Sequence, residues 1–554
     1  MLLTVKNLKT YLNSGTEVVR AVDGISFNIE KGETFCLVGE SGSGKSITAL
    51  SIIQLIPKEI CQHPEGQIWF DYRHNDGTQE QVNMLDLAKH PQRDIRGARI
   101  AMIFQEPMTS LNPVYTIGDQ IIEALQLHWP ELDDDSARQR AIDALAQVQI
   151  PDPEQRVDEY PHRLSGGQRQ RVMIAMAMAC EPDLLIADEP TTALDVTVQA
   201  EILRLMKELQ ERRGMGILFI THDFGVVAKM AHKVAVMRNG LIVEAGSLQQ
   251  VLKQPTHDYT KELLAALPEN MIRVRTEAGE GGQYTRAIVE DKPILVAKGL
   301  KVHFPVKKGV WARTASYVKA VDDIDLTIND GEIVALVGES GCGKTTLGRA
   351  LLRLIEPTDG EIYFTGTNIV PLKRREMKPF RTKMQMIFQD PMSSLNPRLN
   401  IATTLTEPMA VHGIGSNQEE RLDLARQMLI RVQLSDAHLW RYPHEFSGGQ
   451  RQRIGIARAL VLNPKFIVCD EVTSALDVSV QSEILQMLLD LRAERQLSLL
   501  FITHDIGVVE YVSDRMVVMN EGKIVEQGLT DDICHSPQEA YTQKLLAAVP
   551  RLYG

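Results

Sequence analysis

One motif occurs twice in this chain and limits the possible folds more than any other feature. The pattern G-x-x-x-x-G-K-[ST] spans Gly39–Ser46 and recurs at Gly338–Thr345. The first copy follows a short apolar run, Thr34–Val38, which is typical of a buried strand. It precedes apolar residues at helical spacing from Ala49 to Ile56. A strand, a glycine-rich turn and a helix in this order form a phosphate-binding loop, in which main-chain N–H groups and a helix N-terminus surround phosphate oxygens.

The two loops predict the same ligand contacts in both halves of the chain. Lys45 and Lys344 are expected to pair with the β- and γ-phosphates of a nucleotide, and the hydroxyls of Ser46 and Thr345 to reach Mg²⁺. Other loop residues are expected to supply the main-chain cradle for the phosphates. These residues are Gly39, Ser41, Gly42 and Gly44 in the first loop, and Gly338, Ser340, Gly341 and Gly343 in the second.

The rest of the chain also forms an internal repeat. From Ser165 and its counterpart Ser447 onward, the two halves align to the end with no net change of register. A chain of 554 residues is too long for one compact core. We therefore predict a first domain over residues 1–268, a flexible linker rich in glycine and charge over residues 269–291, and a second domain over residues 292–554.

Within each half, short apolar β-branched runs alternate with helical patterns. Leu184–Ala187 and its counterpart Phe466–Cys469 are examples of these runs. Such alternation predicts an α/β fold with a largely parallel sheet. Between Gln105 and Ser165 the patterns are helical only, which predicts a helical subdomain. The first half carries extra residues within 61–94, which are polar and rich in turn formers.

Composition and charge exclude several classes of function. The net charge of −12 argues against a broad nucleic-acid footprint. The six cysteines are scattered with no C-x-x-C pair, which is typical of reduced thiols in a cytosolic protein. The first residues do not resemble a signal peptide, and the longest apolar run, Val172–Cys180, is too short to cross a bilayer. We therefore expect any membrane function to act through another polypeptide.

An acidic pair follows one apolar run in each half. Asp188 and Asp470 are expected to lie in the Mg²⁺ shell, and Glu189 and Glu471 to polarise a water toward the γ-phosphate. A helix N-cap would explain such a pair equally well if it stood alone. Its register with the phosphate loop favours the catalytic interpretation.

A Ser-Gly-Gly-Gln segment precedes a long helical pattern in each half, and a serine N-cap would explain it in isolation. Because it lies between a phosphate loop and an acidic pair, twice, the chain resembles the nucleotide-binding subunits of ABC transporters over essentially its whole length. In that family the segment is the signature, which lies across the γ-phosphate of ATP bound to the opposite half. The matching residues are Ser165, Gly166, Gly167 and Gln168, and Ser447, Gly448, Gly449 and Gln450.

The resemblance assigns roles to four further pairs of residues. They are Gln105 and Gln389 (the Q-loop, touching Mg²⁺ or water), His222 and His504 (the switch histidine at the γ-phosphate), Asp195 and Asp477 (the D-loop), and Tyr11 and Phe304 (a ring stacked on adenine).

The resemblance also implies two tandem ATPase domains of the same architecture. Each would have a RecA-like sheet core, an antiparallel β part and a helical subdomain. Two composite sites would form head to tail, each combining the phosphate loop, acidic pair, glutamine and histidine of one half with the Ser-Gly-Gly-Gln segment of the other. Both are expected to hydrolyse ATP with Mg²⁺, because neither lacks a residue that the chemistry needs. Two departures from the family pattern are Phe446 in place of leucine and Val472 in place of proline.

Two further segments resemble the oligopeptide, dipeptide and nickel importer branch. The first is the segment that follows each Q-loop, as in Glu106–Pro113. The second is the C-terminal segment, or tail, His257–Pro268, which is repeated at Glu539–Pro550. A fused pair of domains of this length most resembles the ATPases of Yej-type peptide and microcin C importers, and next those of glutathione importers. The resemblance implies two multi-span permease subunits, a substrate-binding protein, and a peripheral position on the cytoplasmic face of the inner membrane. Many members of the branch carry a cysteine cluster after this tail. None follows Pro268 here, so no iron–sulfur site is expected.

Two other classes of function stay open at this point. Soluble twin ATPases act on ribosomes or DNA, but ribosome-acting relatives have a long charged linker and DNA-repair relatives have zinc-like cysteine pairs. A catalytically inactive scaffold is disfavoured by two full sets of catalytic residues. Within the second phosphate loop, Cys342 is expected to react with alkylating reagents in a way that ATP prevents.

Overall fold

The computed structural model describes most of the chain. The described residues are 1–13, 15, 18–74, 77–86, 92–105, 110–191, 194–271, 292–308, 313–390, 394–473 and 476–552. The linker predicted over residues 269–291 falls almost wholly outside them. Residues 106–109 and 391–393, which follow the Q-loop glutamines, also lie outside them. The chain divides into two compact units, the first mostly Met1–Leu194 with Val198–Leu264, and the second mostly Ala265–Val549.

The first unit contains two sheets. Its strands are β1 (Leu3–Asn13), β2 (Val18–Ile29), β3 (Thr34–Val38), β4 (Cys61–Gln62), β5 (Gln67–Arg73), β6 (Gln79–Asn83), β7 (Ile100–Ile103), β8 (Leu184–Asp188), β9 (Gly216–Thr221), β10 (Lys233–Arg238) and β11 (Leu241–Ser247). The core sheet has the order β11-β10-β3-β9-β8-β7 and is parallel except for the β10–β11 pair. Strands β3, β8 and β9 are buried along their whole length, which explains why they read as unbroken apolar runs.

The second sheet of this unit is antiparallel, in the order β2-β1-β5-β6 with β4 paired to β1. Strands β5 and β6 form a hairpin in which Tyr72 lies opposite Glu80. This hairpin comprises much of the segment within 61–94 that was predicted only as polar and turn-rich. The prediction missed it because β6 is an edge strand with mostly exposed side chains, and an edge strand accepts polar residues on its open side.

The helices of the first unit surround the core sheet. They are α1 (Lys45–Ile52), α2 (Gln92–Ile95), α3 (Ile117–His128), α4 (Asp134–Gln147), α5 (Pro153–Arg156), α6 (Gly166–Met178), α7 (Val196–Arg213), α8 (Phe224–Met230), α9 (Leu248–Lys253) and α10 (Asp258–Ala265), with a 3₁₀ turn at Pro161–Arg163. The predicted extension of the first helix to Ile56 is wrong. The helix ends at Ile52 because Gln54 turns left-handed with φ 55°.

As predicted, the described residues between Gln105 and Ser165 form helices joined by turns, and none of them lies in a strand. Thr116 starts α3 with a capping box, in which its hydroxyl accepts from the Asp119 N–H and the Asp119 carboxylate accepts from the Thr116 N–H. Asp133 caps the start of α4 in a similar way, because its Oδ1 accepts from the Ser136 N–H at 2.8 Å. These caps fix where the two helices begin.

The second unit repeats this architecture. Its strands are β12 (Pro293–Lys308), β13 (Arg313–Asn329), β14 (Ile333–Val337), β15 (Asp359–Phe364), β16 (Thr367–Asn368), β17 (Met384–Ile387), β18 (Phe466–Asp470), β19 (Ser498–Ile502), β20 (Arg515–Asn520) and β21 (Lys523–Leu529). The core sheet has the order β17-β18-β19-β14-β20-β21, and the antiparallel sheet has the order β13-β12-β15-β16.

The helices of the second unit occupy equivalent positions. They are α11 (Lys344–Leu351), α12 (Lys378–Lys383), α13 (Ile401–His412), α14 (Gln418–Arg431), α15 (Gly448–Leu460), α16 (Val478–Arg495), α17 (Ile506–Val512), α18 (Thr530–His535) and α19 (Ala540–Ala548), with 3₁₀ turns at Asp436–Trp440 and Pro443–Glu445. The predicted α/β class, with a parallel core, an antiparallel part and a helical part in each half, is confirmed. Among the described residues, no helix combines the length and the apolar character needed to span a bilayer.

Candidate functional site

The strand order of each core sheet brings the predicted site residues of that half to one edge. Strand β9 lies between β3 and β8, and all three run in the same direction. The phosphate loop follows β3, the acidic pair ends β8, and His222 follows β9. Carboxyl ends of parallel strands meet at one edge of a sheet, which is where α/β folds bind ligands. The second unit repeats the arrangement with β14, β18 and β19.

The phosphate loop requires glycine at its two ends. Gly39 and Gly44 have φ of 150° and 103°, and a Cβ at either position would lie against a main-chain carbonyl oxygen, that of Met237 or of Ala21. The loop therefore wraps closely between neighbouring main-chain segments. Its backbone path is available only to a residue without a side chain.

The loop lysine of each half is buried and held by its own loop. Lys45 Nζ donates to the carbonyl oxygens of Gly39 and Glu40, at 2.7 and 2.8 Å. Lys344 makes the equivalent bonds to the carbonyl oxygens of Gly338 and Glu339, at 2.7 and 2.9 Å. Each ammonium group is thus placed inside the ring of the loop, where the predicted contact with β- and γ-phosphates requires it.

Oxygen ligands suited to Mg²⁺ lie beside each loop. The Ser46 hydroxyl donates to Asp188 Oδ1 at 3.1 Å, and the Thr345 hydroxyl donates to Asp470 Oδ1 at 2.9 Å. Burial raises the pKa of Asp188 to about 6, and it also raises the pKa of Asp470. A hydroxyl and a buried carboxylate whose negative charge is poorly compensated fit a hard cation that also binds phosphate oxygens.

The glutamate of each acidic pair is held at the same edge of the sheet. Glu189 has φ 47° and its N–H donates to the Ile220 carbonyl oxygen at 2.9 Å. Its carboxylate accepts from Gln105 Nε2 at 2.9 Å and lies 3.1 Å from His222 Nδ1. A left-handed conformation is costly for glutamate, and such strain is concentrated at functional sites.

The second unit repeats this carboxylate arrangement. Glu471 has φ 46°, accepts from Gln389 Nε2 at 2.6 Å, and lies 3.6 Å from His504 Nδ1. Burial alone would raise the pKa of Glu471, but the hydrogen bond and charge of His504 outweigh it and lower that pKa. The predicted glutamine, glutamate and histidine of each half are therefore brought together within that half.

The histidines are positioned by the helices that follow them. Asp223 caps α8 by accepting from the Gly225 N–H at 2.8 Å, which fixes the turn next to His222. Burial lowers the pKa of His222, but the hydrogen bond to Glu189 and the charge of Glu189 outweigh burial and raise that pKa. The pKa of His504 is raised in the same way by Glu471.

The Ser-Gly-Gly-Gln segments form helix starts, as the N-cap interpretation predicts. The Ser165 hydroxyl accepts from the Gln168 N–H at 3.3 Å, and the Gln168 side chain accepts from the Ser165 N–H at 3.1 Å. Ser447 and Gln450 form the same capping box at the start of α15. Both serines are exposed. A cap of this kind does not conflict with a role at phosphate, because a helix start favours anions.

The adenine contacts predicted for Tyr11 and Phe304 remain predictions. Tyr11 lies on β1, where its hydroxyl donates to Asp23 at 2.7 Å and the Arg20 guanidinium lies 5.5 Å from its ring centre. Phe304 lies on β12 and is exposed. Asp195 directly precedes α7 and Asp477 directly precedes α16, so both D-loop residues lie at a helix start.

The structure does not favour rapid alkylation of Cys342. Its side chain is only 7% exposed, and Lys344 Nζ lies 3.8 Å from its sulfur. Burial raises the pKa of the Cys342 thiol despite the lysine charge, and a protonated thiol is a poor nucleophile. We therefore expect alkylation of Cys342 to be slow, and its protection by ATP remains a prediction.

One pair of residues at the loops was missed in the sequence interpretation. Tyr259 of α10 donates its hydroxyl to Glu40 Oε2 at 3.0 Å, and the Tyr541 oxygen accepts from the Glu339 N–H at 3.1 Å. The only signal in the sequence was that the two tyrosines align in the internal repeat. That alignment does not indicate a contact with the phosphate loop.

Comparison with known proteins gives the same assignment for both halves. The family model described as "ABC transporter" matches residues 22–192 and 321–474, and the model described as "Oligopeptide/dipeptide transporter, C-terminal region" matches residues 243–293 and 525–554. The peptidoglycan transport ATP-binding protein YejF of Agrobacterium fabrum is 48% identical, over 99% of this chain and 96% of its own length. The glutathione import ATP-binding protein GsiA is 47% identical in Salmonella choleraesuis and 46% identical in Pectobacterium atrosepticum, over 99% of this chain and 89% of each relative.

These matches extend across both halves and confirm the resemblance drawn from the phosphate loops, acidic pairs and tails. The chain therefore belongs to the ABC transporter family, as an ATPase with two tandem ATP-binding cassettes from its oligopeptide and dipeptide branch.

Proposed function

We propose that this chain binds two molecules of Mg²⁺-ATP and hydrolyses both to drive the import of peptides or peptide-like compounds. Each half, residues 1–268 and residues 292–554, acts as one ATPase domain. Each nucleotide is bound by the phosphate loop of one half and the Ser-Gly-Gly-Gln helix start of the other.

One observation carries this proposal: a complete set of ATPase groups recurs in both halves with nearly the same geometry. Lysine to loop carbonyl, hydroxyl to aspartate, and glutamine to glutamate are all within hydrogen-bond distance in each unit. A scaffold without activity has no need of a buried lysine, a strained glutamate and a poorly compensated carboxylate at one sheet edge, twice. Both sites are therefore equipped for turnover.

The chemistry follows from the groups that are present. The lysine would exchange its loop carbonyls for phosphate oxygens. Ser46 with Asp188, and Thr345 with Asp470, would hold Mg²⁺, which would supply positive charge to neutralise the phosphates. The carboxylate of Glu189 or Glu471 then orients and deprotonates the attacking water. The neighbouring histidine, whose pKa that carboxylate raises against the effect of burial, is placed to contact the γ-phosphate and to link its presence to the position of the base.

The pairing of the two halves can be tested by placing a negative charge at the serine of either Ser-Gly-Gly-Gln segment. Ser447→Asp keeps an N-cap acceptor but places a negative charge where the γ-phosphate would lie. If the sites are composite, Ser447→Asp impairs the site that contains Lys45, so Lys45→Ala with Ser447→Asp still leaves one occluded ATP per chain. Lys45→Ala with Ser165→Asp then leaves none.

The reverse outcome would contradict the head-to-tail arrangement. If each site were built within one half, Lys45→Ala with Ser165→Asp would leave one occluded ATP, and Lys45→Ala with Ser447→Asp would leave none. The stoichiometry of ATP retained by the purified chain with its membrane partners distinguishes the two.

Exposed aromatic and apolar side chains support a membrane partner. In the first unit, Tyr115 and Tyr160 are exposed, and a hydrogen bond from the Ile117 N–H to the Glu159 carbonyl oxygen at 2.9 Å holds their two segments side by side. In the second unit, Trp440 is 61% exposed. We assign these side chains to the docking of two permease subunits at the cytoplasmic face of the membrane. Loss of permease co-purification in Tyr160→Glu and Trp440→Glu chains tests that assignment.

The cargo class follows from the relatives and is tested by transport. One relative is named for peptidoglycan transport and the others for glutathione import. We expect ATP hydrolysis by the reconstituted transporter, supplied with its substrate-binding protein, to rise with short peptides or peptide fragments. Stimulation by glutathione alone would assign the chain to the glutathione importers instead, and co-purification with ribosomes or DNA and no permease would refute transport.

A further inference from the structure

A tyrosine from the C-terminal part of each cassette reaches the second residue of its phosphate loop. The Tyr259 hydroxyl donates to the Glu40 carboxylate at 3.0 Å, and the Tyr541 oxygen accepts from the Glu339 main-chain N–H at 3.1 Å. The ring of Tyr259 also lies 4.3 Å from the Arg238 guanidinium. The tyrosine thus contacts the same loop residue in both halves, through the side-chain carboxylate in the first and the main-chain N–H in the second.

The second loop residue is also the one that holds the lysine. The carbonyl oxygens of Glu40 and Glu339 accept from Lys45 and Lys344. The same residue is therefore held by the lysine at its carbonyl oxygen and by the tyrosine at a second group, which is the carboxylate of Glu40 and the main-chain N–H of Glu339. When the lysine turns to phosphate, the main-chain bonds from Ser43 to Glu40 and from Cys342 to Glu339 remain, at 3.1 and 3.3 Å, and the tyrosine adds a contact from the C-terminal region.

The segment before each tyrosine's helix is anchored by a carboxylate from the last core hairpin. Glu244 of β11 accepts from the N–H groups of Thr256 and His257, at 2.7 and 3.2 Å, just before α10 begins. Glu526 of β21 accepts from the N–H groups of Gln538 and Glu539, at 2.8 and 3.3 Å, before α19. The C-terminal helix is thus tied to the core sheet at its start, and a residue in its first turns touches the loop.

We propose that Tyr259 and Tyr541 are positioning residues that set the affinity of each phosphate loop for ATP. They place the C-terminal region of each cassette in direct contact with the nucleotide site. The proposal rests on the proposed function, since it assigns to these tyrosines the shape of loops that bind ATP. They do not act on the reacting atoms, so they are expected to change ATP binding and leave the catalytic step unaffected.

Single-site chains give the sharpest test. Lys45→Ala leaves the second loop as the intact one, and in that background Tyr541→Phe is expected to raise the dissociation constant of ATP about three- to tenfold. Tyr259→Phe in the same background should change nothing. In Lys344→Ala chains the two tyrosines exchange roles. Equilibrium binding of a fluorescent ATP analogue to the full chain, together with kcat and KM for ATP, provides the readout.

A third tyrosine controls for the loss of a buried hydroxyl. The Tyr511 hydroxyl donates to Gln486 Oε1 at 2.9 Å in the second unit, away from the loop. Tyr511→Phe should lower the thermal stability about as much as Tyr541→Phe and leave ATP binding unchanged. If Tyr541→Phe and Tyr259→Phe also leave ATP binding unchanged, the tyrosines are only structural and the inference is wrong. If Lys45→Ala and Lys344→Ala both leave ATP binding unchanged, the proposed ATP sites fail instead.

Discussion

Glu189 Oε1 lies 3.1 Å from Nδ1 of His222, and both side chains come from the carboxyl edge of the core sheet. The glutamate follows β8 and the histidine follows β9, and these strands are direct neighbours. The pair therefore depends on strand order and not on proximity in sequence. The contact allows the protonation state of one side chain to affect the other.

Removing the two carboxylates tests their role as general bases. Glu189→Gln with Glu471→Gln keeps the shape and the hydrogen bonds to Gln105 and Gln389, but an amide cannot accept the proton of the attacking water. We expect ATP turnover to fall by about 10² or more while ATP binding persists. Steady-state phosphate release and equilibrium ATP binding measure the two effects.

Two other glutamates are matched controls for this substitution. Glu181 and Glu521 share the left-handed conformation, with φ of 55° and 46°, but lie outside the catalytic constellation. Glu181→Gln with Glu521→Gln should hydrolyse ATP at close to the normal rate. Near-normal hydrolysis by the Glu189→Gln and Glu471→Gln chain would show that neither carboxylate is the base.

The core of each cassette could be predicted from the sequence because its signals are local. Strand β3 has the predicted bounds, Thr34–Val38, since a strand buried on both faces reads as an unbroken apolar run. The helix after it was predicted too long, because the left-handed turn at Gln54 that ends it is not encoded by apolar spacing. Edge strand β6 was missed because it is largely polar.

The contacts that join distant segments could not be predicted in the same way. Tyr259 and Glu40 are far apart in the chain, and neither has a neighbouring pattern that indicates the other. The Ser165 segment could be predicted both as an N-cap and as a nucleotide contact. The structure confirms the cap, while the nucleotide contact remains a prediction. Residue type and spacing identify chemical groups, but only the fold determines which of them meet.

The raised pKa of Asp188 predicts a pH-dependent stability. Because burial raises this pKa to about 6, above the ordinary value, the folded state favours the protonated acid. The stability this provides is fully present below the ordinary pKa and is lost as the pH rises through about 6. Without Mg²⁺, Asp188→Asn should therefore stabilise the chain at pH 8 by about 3 kcal/mol, and should do little at pH 4.

Thermal unfolding as a function of pH, with and without Mg²⁺-ATP, measures this effect. With the ligand present the sign should reverse, because the asparagine is a weaker partner for the cation. A destabilised Asp188→Asn chain at pH 8 without Mg²⁺ would contradict the account of a poorly compensated carboxylate.

The paired glycines of the signature helices should differ in their tolerance of a methyl group. A Cβ on Gly167 would lie 2.6 Å from Val198 Cγ1, whereas a Cβ on Gly166 would meet nothing within 4 Å. Valine in a helix has little rotamer freedom with which to move away. We expect Gly167→Ala to cost about 1–3 kcal/mol of unfolding free energy. Gly166→Ala should be neutral or slightly stabilising.

The second unit supplies an independent copy of this comparison. A Cβ on Gly449 would lie 2.6 Å from Val480 Cγ1, and a Cβ on Gly448 would meet nothing within 4 Å. Urea unfolding of the four variants should therefore separate Gly167→Ala and Gly449→Ala from the other two. Equal stability of all four variants would mean that the helices move apart at little cost.

Cys342 should be slow to alkylate, in contrast to the behaviour that its place in the loop suggests. Its side chain is buried and its pKa is raised by burial, whereas Cys61 and Cys534 are half-buried. With iodoacetamide at pH 7, we expect Cys534 to be labelled well before Cys342. Labelling of Cys342 should accelerate as the pH rises, because the reactive thiolate fraction increases. Peptide mass spectrometry over a time course gives the rate at each cysteine.

The first loop provides the control for this position, since Ser43 occupies the place of Cys342 and its hydroxyl lies 3.4 Å from Lys45 Nζ. Cys342→Ser should therefore keep near-normal ATP hydrolysis, because it makes the second loop more similar to the first. Activity of the Cys342→Ser chain should also be unaffected by prolonged exposure to the reagent. If Cys342 were instead labelled as fast as Cys534 in the ATP-free chain, the second loop would have to open far more often than its buried lysine and thiol imply.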